Sequence, residues 1–219
     1  MNNFNPEFIL FDLDGTLTDS EEGILNSVRY ALEPHGIELP YETLKKFIGP
    51  PLLEAFSEYA GLSAEESEKT VARSRERYST VGLFENKVYY GVPEMLENVK
   101  QGGKKIILAT AKPLLYASKI LEHFGLAKYF ELQVGADFQG GIHNKEDVIA
   151  AVLERGKIDN IDSAVMIGDR HHDIEGAKHF GMKSIGVTYG FGDLEELQTA
   201  GADYIVNSPE EITRLILGI

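Results

Sequence analysis

The sequence predicts an α/β protein: a doubly wound, Rossmann-like parallel sheet with a small all-helical insertion. Two observations predict the sheet. Short, continuous apolar runs recur along the chain, and helix-length amphipathic segments separate them. Continuous apolar runs are typical of strands buried on both faces of a parallel sheet. A third observation predicts the insertion, because the chain between the first strand and residue 88 holds helical patterns and no such run.

Three apolar runs are the strongest strand candidates, and each leads directly into reactive polar residues. They are Phe8–Phe11 before Asp12, residues 105–109 before Thr110, and residues 164–167 before Gly168 and Asp169. Weaker candidates lie at residues 130–134, 184–187 and 204–206. The runs are too short to be ordinary helices, so we interpret them as strands.

Helical patterns lie between these strands. Residues 113–124 carry apolar side chains at helical spacing, and Gly125 follows as a residue that often ends a helix. Similar patterns cover residues 145–153 and 173–180. Strands that alternate with helices of this length imply right-handed crossovers and a parallel sheet.

The insertion has three helical patterns, at residues 24–32, 52–59 and 64–78. We therefore expect residues 1–17 and 91–219 to form an α/β core and residues 18–90 to form a helical cap. A module joined through two short connections is expected to act as a lid that closes over a ligand and excludes water.

The composition is that of a globular protein, with 43% hydrophobic and 26% charged residues. The absence of cysteine excludes disulfides and thiolate chemistry, and it fits a cytoplasmic protein. Residues 1–7 lack the basic and apolar regions of a signal peptide, and no apolar run is long enough to span a membrane. The formal net charge of −14 argues against nonspecific nucleic-acid binding, although local cations can still bind a small phosphorylated molecule.

Polar residues at the strand ends indicate where the chemistry lies. In open α/β sheets, ligands bind beyond the carboxyl ends of the strands, where Asp12, Thr110 and Asp169 are expected to meet. Helix capping explains one or two such residues, but it is the weaker explanation for three.

The DLDGT stretch that begins at Asp12 brings Asp12 and Asp14 towards one space. Two close carboxylates require a cation or a proton, and Mg²⁺ with its oxygen ligands meets that requirement. The alternative is an acidic turn after a strand.

With these residues in place, the chain resembles the haloacid dehalogenase superfamily of phosphohydrolases. DLDGT resembles the first family motif, and Thr110 in LATAKP resembles the second. Lys145 at the start of a helix resembles the third, and GDRHHD from Gly168 resembles the fourth. The four motifs occur in the family's order and cover essentially the whole chain.

The resemblance implies an Mg²⁺-dependent phosphatase that acts on small phosphate esters through an aspartyl-phosphate. It implies Asp12 as the nucleophile, Asp14 as the general acid and base, and catalytic roles for Thr110 and Lys145. Asp12 and Asp169 would bind Mg²⁺ through side chains, and Asp14 through its backbone carbonyl. The residues expected to hold phosphate are Leu13 and Ala111 through backbone N–H groups, with Thr110 and Lys145. Asp173 would support Lys145 or a metal-bound water.

The insertion resembles the cap of phosphoglycolate-phosphatase-like members, through FIGPP from Phe47 and RERY from Arg75. FIGPP, GLFENKVYYGVPEML and AKPLLYASKILEHFGL also resemble a branch described as 5′-nucleotidase-like. Phosphoglycolate is therefore the leading expected substrate and a nucleoside 5′-monophosphate the alternative. A rim that selects between them is expected at Phe47, Pro50, Pro51, Arg75 and Lys112.

Three other functions remain as alternatives. A β-phosphoglucomutase-type phosphotransferase usually carries Glu-Asp where this chain has Gly168-Asp169, and a dehalogenase needs no second Asp at position 14. A non-catalytic phosphate-binding protein would not keep every catalytic position filled.

Ala111 departs from the family, which often has Asn there, so a side-chain contact to substrate is missing. His171 and His172 are interpreted as surface or rim residues, and the chain is expected to be a monomer or homodimer.

Overall fold

The computed structural model describes residues 4–137 and 141–219. Residues 1–3 and 138–140, which the sequence assigns to the core, lie outside the described residues. The chain divides into two compact units: unit 1 comprises Met1–Asp19 and Val88–Ile219, and unit 2 comprises Ser20–Lys87.

Unit 1 is built on a six-stranded sheet in which every adjacent pair of strands is parallel. The strands are β1 (Phe8–Phe11), β4 (Lys105–Pro113), β5 (Leu132–Ala136), β6 (Ala164–Gly168), β7 (Lys183–Val187) and β8 (Tyr204–Val206). Two short strands, β2 (Thr18–Asp19) and β3 (Lys87–Val88), lie at the junctions between the units. The predicted α/β class with a parallel sheet is confirmed.

The helices of unit 1 connect these strands. They are α5 (Val92–Gln101), α6 (Leu114–His123), α7 (Lys145–Gly156), α8 (His171–His179), α9 (Leu194–Ala200) and α10 (Pro209–Leu217). Short 3₁₀ turns cover Ala127–Tyr129 and Ile161–Ser163. Because crossovers between parallel strands are right-handed as a rule, this strand order implies α5 and α6 on one face of the sheet and α7, α8 and α9 on the other.

The strand order β5-β4-β1-β6-β7-β8 puts β1 between β4 and β6. In register, Phe11 lies beside Leu108 of β4 and Ile167 of β6. The chain leaves β1 towards β4 and later returns to the other side of β1, so the order reverses at this strand. The reversal opens a crevice at the carboxyl ends of the three strands, which is where such sheets bind ligands.

The core of the sheet is apolar on both faces. Leu10, Ile107 and Met166, from three adjacent strands, pack with Val148 and Ile149 of α7, and all five are buried. Removing such side chains from water is the main favourable term in folding. This packing fixes the strands whose ends carry the polar residues.

Strand β4 differs from the prediction. The sequence pattern predicts that the strand stops at Thr110 and that a helix starts at Pro113, but β4 continues to Pro113 and α6 begins at Leu114. The register of β4 against β5 shifts between Thr110 and Pro113. Proline has no N–H to give to a sheet ladder, so regular pairing cannot continue through it.

The junctions between the units also differ slightly from the expected ones. Residues 18–19 and 88–90, expected in the cap, belong to unit 1. The backbone gives the reason. Gly15 N–H donates to Thr18 O at 2.8 Å, and Tyr89 N–H donates to Leu17 O at 3.1 Å. These bonds hold both connections on unit 1.

Unit 2 is helical, with α1 (Glu21–Leu32), α2 (Tyr41–Lys45), α3 (Leu52–Ala60) and α4 (Ala64–Arg77), a 3₁₀ turn at Glu33–His35 and a π-helical turn at Tyr78–Gly82. Helix α4 starts with a capping box in which Ser63 and Glu66 satisfy each other's backbone N–H groups. The role of unit 2 as a lid stays a prediction. Among the described residues, none of the helices is both long and apolar enough to cross a bilayer.

Candidate active site

Asp12 follows β1 at the centre of the carboxyl edge. Its N–H donates to Ile167 O at 2.9 Å, so its backbone is fixed to β6. The chain then turns sharply, and Leu17 N–H and Thr18 N–H both donate to Leu13 O. This turn presents the side chains of Asp12 and Asp14 on the crevice side of the sheet.

Lys145 joins two of the acidic residues. Its ammonium Nζ lies 2.7 Å from Asp12 Oδ1 and 2.6 Å from Asp173 Oδ1, and it donates to Ala109 O at 2.9 Å. A capping box formed by Asn144 and Asp147 fixes the start of α7 at this residue. The helix start therefore aims the lysine at the end of β1.

Asp169 is completely buried at the end of β6. Its Oδ2 accepts a hydrogen bond from Phe191 N–H at 2.7 Å, and its Oδ1 accepts one from Thr16 Oγ1 at 3.3 Å. Tyr189 hydroxyl donates to Thr16 O at 2.9 Å and so supports the same turn. The loop after β7 therefore fixes the Asp169 carboxylate, directly through Phe191 and indirectly through Tyr189.

Glycines make room for Asp169. A Cβ on Gly15 would lie 2.0 Å from Asp169 Oδ2, and one on Gly190 would lie 2.5 Å from Asp169 Cβ. Gly15 also has φ +81°, a backbone conformation that favours glycine. The loop of residues 190–192 is therefore part of the site.

The site holds more negative charge than Lys145 can balance. Asp12, Asp169 and Asp173 each offer a carboxylate oxygen, and these oxygens all lie within 4.8 Å of one another. Burial raises the pKa of Asp12 from 3.8 to about 6; Lys145 opposes the shift, and Asp173 and Asp14 add to it. Burial, together with Asp173 and Asp12, also raises the pKa of Asp169 well above its usual value.

Burial and the neighbouring charges act in opposite directions on the pKa of Lys145. Burial by itself lowers the pKa of the ammonium, but Asp12 and Asp173 outweigh it and the net pKa lies above its ordinary value. Lys145 thus stays charged, and three buried carboxylates share one cation. A divalent ion with a preference for oxygen ligands fits this group. The arrangement therefore suits Mg²⁺ chemically.

Asp14 has a partner that the sequence interpretation missed. Lys112, expected at the substrate rim, places its Nζ 2.6 Å from Asp14 Oδ2, and its side chain is only 7% exposed. The other oxygen, Asp14 Oδ1, is buried and accepts no hydrogen bond within the described part of the chain. Lys112 N–H also donates to Thr110 Oγ1 at 3.2 Å. The geometry therefore ties the Asp14 and Thr110 motifs together.

The remaining phosphate-binding candidates lie at the same edge of unit 1. Thr110 is buried in β4 and Ala111, the next residue, is exposed. Leu13 is fully buried, so only its backbone is available to a ligand. Asp173 Oδ2 accepts from Arg170 N–H at 3.1 Å, in addition to the contact of Asp173 with Lys145.

The expected rim residues of unit 2 differ in how accessible they are to a ligand. Phe47 is 2% exposed, and its ring packs on Phe56 at 5.1 Å and on Tyr59 at 5.6 Å between ring centroids. Phe47 is therefore a core residue of unit 2, and its predicted place at the substrate rim is withdrawn. Arg75 and Pro51 are exposed and Pro50 is half-buried, so their role stays a prediction.

Comparison with known proteins shows the family of the chain. Residues 9–187 match the family described as haloacid dehalogenase-like hydrolase. A 5′-nucleotidase of Pseudomonas aeruginosa is 42% identical over 191 residues, which cover 87% of this chain and 86% of that protein. A phosphoglycolate phosphatase of Caulobacter vibrioides is 30% identical over 215 residues, which cover 95% of this chain and 90% of that protein. The resemblance indicated by the four motifs is confirmed.

A solved structure is also similar. The crystal structure of a protein described as a predicted phosphatase from Clostridium acetobutylicum matches with a TM-score of 0.90 and 45% sequence identity. The match covers 98% of this chain and 100% of that chain.

The raised pKa of Asp12 predicts a pH effect on the stability of the metal-free protein. Between pH 3.8 and about 6, the folded state keeps a proton on Asp12 that the unfolded state has lost. Stability in EDTA should therefore fall as the pH rises through this window, by at most about 3 kcal/mol from this group. The free energy of unfolding in urea, measured at pH 4.5 and 6.5 for the wild type and for Asp12→Asn, tests this, because the variant removes the Asp12 titration and with it the charge that raises the pKa of Asp169.

The exposed Asp159→Asn serves as the matched control and should follow the wild type. If the free energy of unfolding changes with pH to the same extent in the wild type and in Asp12→Asn, the raised pKa does not belong to Asp12.

Proposed function

The chain belongs to the haloacid dehalogenase-like hydrolase family, and on this premise we propose that it is an Mg²⁺-dependent phosphatase of small phosphate monoesters that reacts through a phosphorylated Asp12. The observation that carries the proposal is the buried group formed by Asp12, Lys145, Asp169 and Asp173. It places one carboxylate at the end of the central strand with a lysine on one of its oxygens. A nucleophile and a fixed positive charge beside it are what phosphoryl transfer requires.

In the first step, an oxygen of Asp12 attacks the phosphorus atom and the ester P–O bond breaks. Asp14 gives a proton to the leaving oxygen, so that an alcohol departs. In the second step, water attacks the phosphorus of the aspartyl-phosphate and Asp14 takes a proton from it. The P–O bond to Asp12 breaks, and inorganic phosphate leaves with Asp12 restored.

The position of Asp14 supports the acid–base role. One of its oxygens is held by Lys112, while Asp14 Oδ1 is buried without a hydrogen-bond partner in the described residues. A buried polar atom without a partner is costly unless a ligand or water completes it. We propose that the leaving oxygen, and afterwards the attacking water, is that partner.

Mg²⁺ would be held by the side chains of Asp12 and Asp169 and by the backbone carbonyl of Asp14. When bound, it lowers the repulsion between the phosphate and the carboxylates. Thr110, Lys145 and the N–H groups of Leu13 and Ala111 would orient the phosphoryl oxygens. Lys145 stays charged throughout, because Asp173 as well as Asp12 contacts it.

Two substrate classes compete, and we place nucleoside 5′-monophosphates ahead of phosphoglycolate. The identity of 42% with the 5′-nucleotidase, against 30% with the phosphoglycolate phosphatase, supports this order. A cationic rim would favour a carboxylated substrate through a charge-assisted hydrogen bond, and Lys112 is one of the expected rim residues. That ammonium is already paired with Asp14, so it adds little to the binding of a second anion.

Asp12→Asn should reduce kcat at least about a hundredfold, because the amide is a poor nucleophile and about 2.7 kcal/mol or more of barrier lowering is lost. Steady-state kinetics with an aryl phosphate measures the loss, and circular dichroism shows whether the variant is folded. Asp159→Asn is the matched control and should keep wild-type activity. If Asp12→Asn keeps more than about a hundredth of kcat, another residue is the nucleophile.

EDTA should abolish turnover and Mg²⁺ should restore it, since three buried carboxylates need a cation before they accept a phosphate dianion. The measurement is initial rate after dialysis against EDTA, then with added Mg²⁺ or added Zn²⁺. Restoration by Zn²⁺ and not by Mg²⁺ would count against the carboxylate site.

A nucleoside 5′-monophosphate should exceed both phosphoglycolate and ribose 5-phosphate in kcat/KM by about tenfold or more, which corresponds to about 1.4 kcal/mol of transition-state binding. Ribose 5-phosphate is the control that keeps the sugar phosphate and lacks the base. Equal values for all three would indicate a broad phosphatase, and a tenfold preference for phosphoglycolate would reverse our order.

A further inference from the structure

A second group of metal-ligand side chains lies at the start of α8, outside the carboxylate cluster. His171, His172 and Glu175 each offer a ligand atom, and these atoms all lie within 4.8 Å of one another. The two imidazole rings are close, with 3.8 Å between their centroids. This group shares no residue with Asp12, Asp169 and Asp173.

Helix geometry brings the three side chains together. Glu175 follows His171 by four residues and His172 by three, and residues at these spacings are neighbours on a helix surface. This spacing places Glu175 beside both histidines, and the structure brings two nitrogens and one carboxylate oxygen together at the start of α8. Zinc binds such ligands at about 2.0–2.2 Å, so its ligand atoms come within roughly 4 Å of each other. The side chains of His172 and Glu175 are exposed, so a metal ion can reach them from solvent.

Glu196 on α9 orients the first of these histidines. Its Oε1 lies 2.7 Å from His171 Nδ1, and it also accepts from His171 N–H at 2.8 Å and from Arg170 Nε at 2.8 Å. When Nδ1 carries the hydrogen towards Glu196, Nε2 is left with the lone pair. A histidine held by a carboxylate in this way is the usual arrangement of a metal-binding imidazole.

The surroundings attract cations. A cavity of about 360 Å³ adjoins His171, and four carboxylates line it: Glu175, Asp193, Glu195 and Glu196. The chain as a whole carries a formal net charge of −14. A concave site lined by charges of one sign raises the local concentration of the opposite ion.

We propose that His171, His172 and Glu175 bind a divalent transition-metal ion of the Zn²⁺ type, separately from the Mg²⁺ of the reaction. The donor sets differ in kind. Two imidazoles and a carboxylate suit Zn²⁺, Co²⁺ or Ni²⁺, whereas the buried cluster offers oxygen alone, which suits Mg²⁺. The proposal does not depend on which ester the protein hydrolyses.

The test is a Co²⁺ titration of the full chain in excess Mg²⁺, which keeps the carboxylate cluster occupied. Binding is measured by equilibrium dialysis, and visible absorption reports on imidazole ligands. One Co²⁺ per chain is expected, with Zn²⁺ displacing it. His172→Ala and Glu175→Gln should each weaken Co²⁺ binding by about tenfold or more, and Glu196→Gln should weaken it within the 10–100-fold range of supporting carboxylates.

Two variants separate this site from other sources of binding. His179→Ala removes an accessible histidine from the other end of α8 and should leave Co²⁺ affinity unchanged. Asp12→Asn disrupts the carboxylate cluster and should also leave it unchanged. The proposal is wrong if Co²⁺ does not bind in excess Mg²⁺, or if binding survives in both His172→Ala and Glu175→Gln. It is equally wrong if Asp12→Asn abolishes binding.

Discussion

The ion pair between Lys145 and Asp12 is the interaction on which the rest of the site depends. The two residues are 133 positions apart, and the sheet brings them to 2.7 Å inside a region where both are almost completely buried. An unpaired buried charge costs several kcal/mol, so neither group is tolerated there alone. Asp173 binds the other side of the ammonium at 2.6 Å and holds it in place.

This pairing leaves an imbalance that the fold retains. Asp12, Asp169 and Asp173 face one lysine, and burial raises the pKa of Asp12 and of Asp169. A protein selected for stability alone would gain by replacing one of these carboxylates with an uncharged residue. Strain of this kind is typical of a site prepared for a cation and an anionic ligand. Under the proposed function, a metal that binds the folded form would restore this stability.

Close packing around Asp169 shows how tightly the fold controls the site. Gly15 belongs to the turn after β1, and Gly190 and Gly192 belong to the loop after β7. A Cβ on Gly15 or Gly190 would collide with the Asp169 side chain, and one on Gly192 with its backbone carbonyl. Phe191 N–H then completes the enclosure by donating to Asp169 Oδ2. Close packing and these hydrogen bonds hold the Asp169 carboxylate in place, and such pre-organisation is what the proposed metal-binding role requires.

The sequence by itself determined the fold class, the end of β1 at Phe11 and the residues of the four motifs. The periodicity of apolar residues and the polar residue after each buried strand are local signals, readable without coordinates. Tertiary structure alone decided that Lys112 pairs with Asp14, that Gly190–Gly192 encloses Asp169, and that Phe47 packs inside unit 2. These contacts depend on sheet order and on side-chain packing between distant segments. Lys112 lies 98 residues from Asp14, and no local pattern encodes which of several exposed-looking lysines turns inwards. The physical reason is that periodicity reports which face of an element is buried, whereas the partner on that face is chosen by the assembled chain.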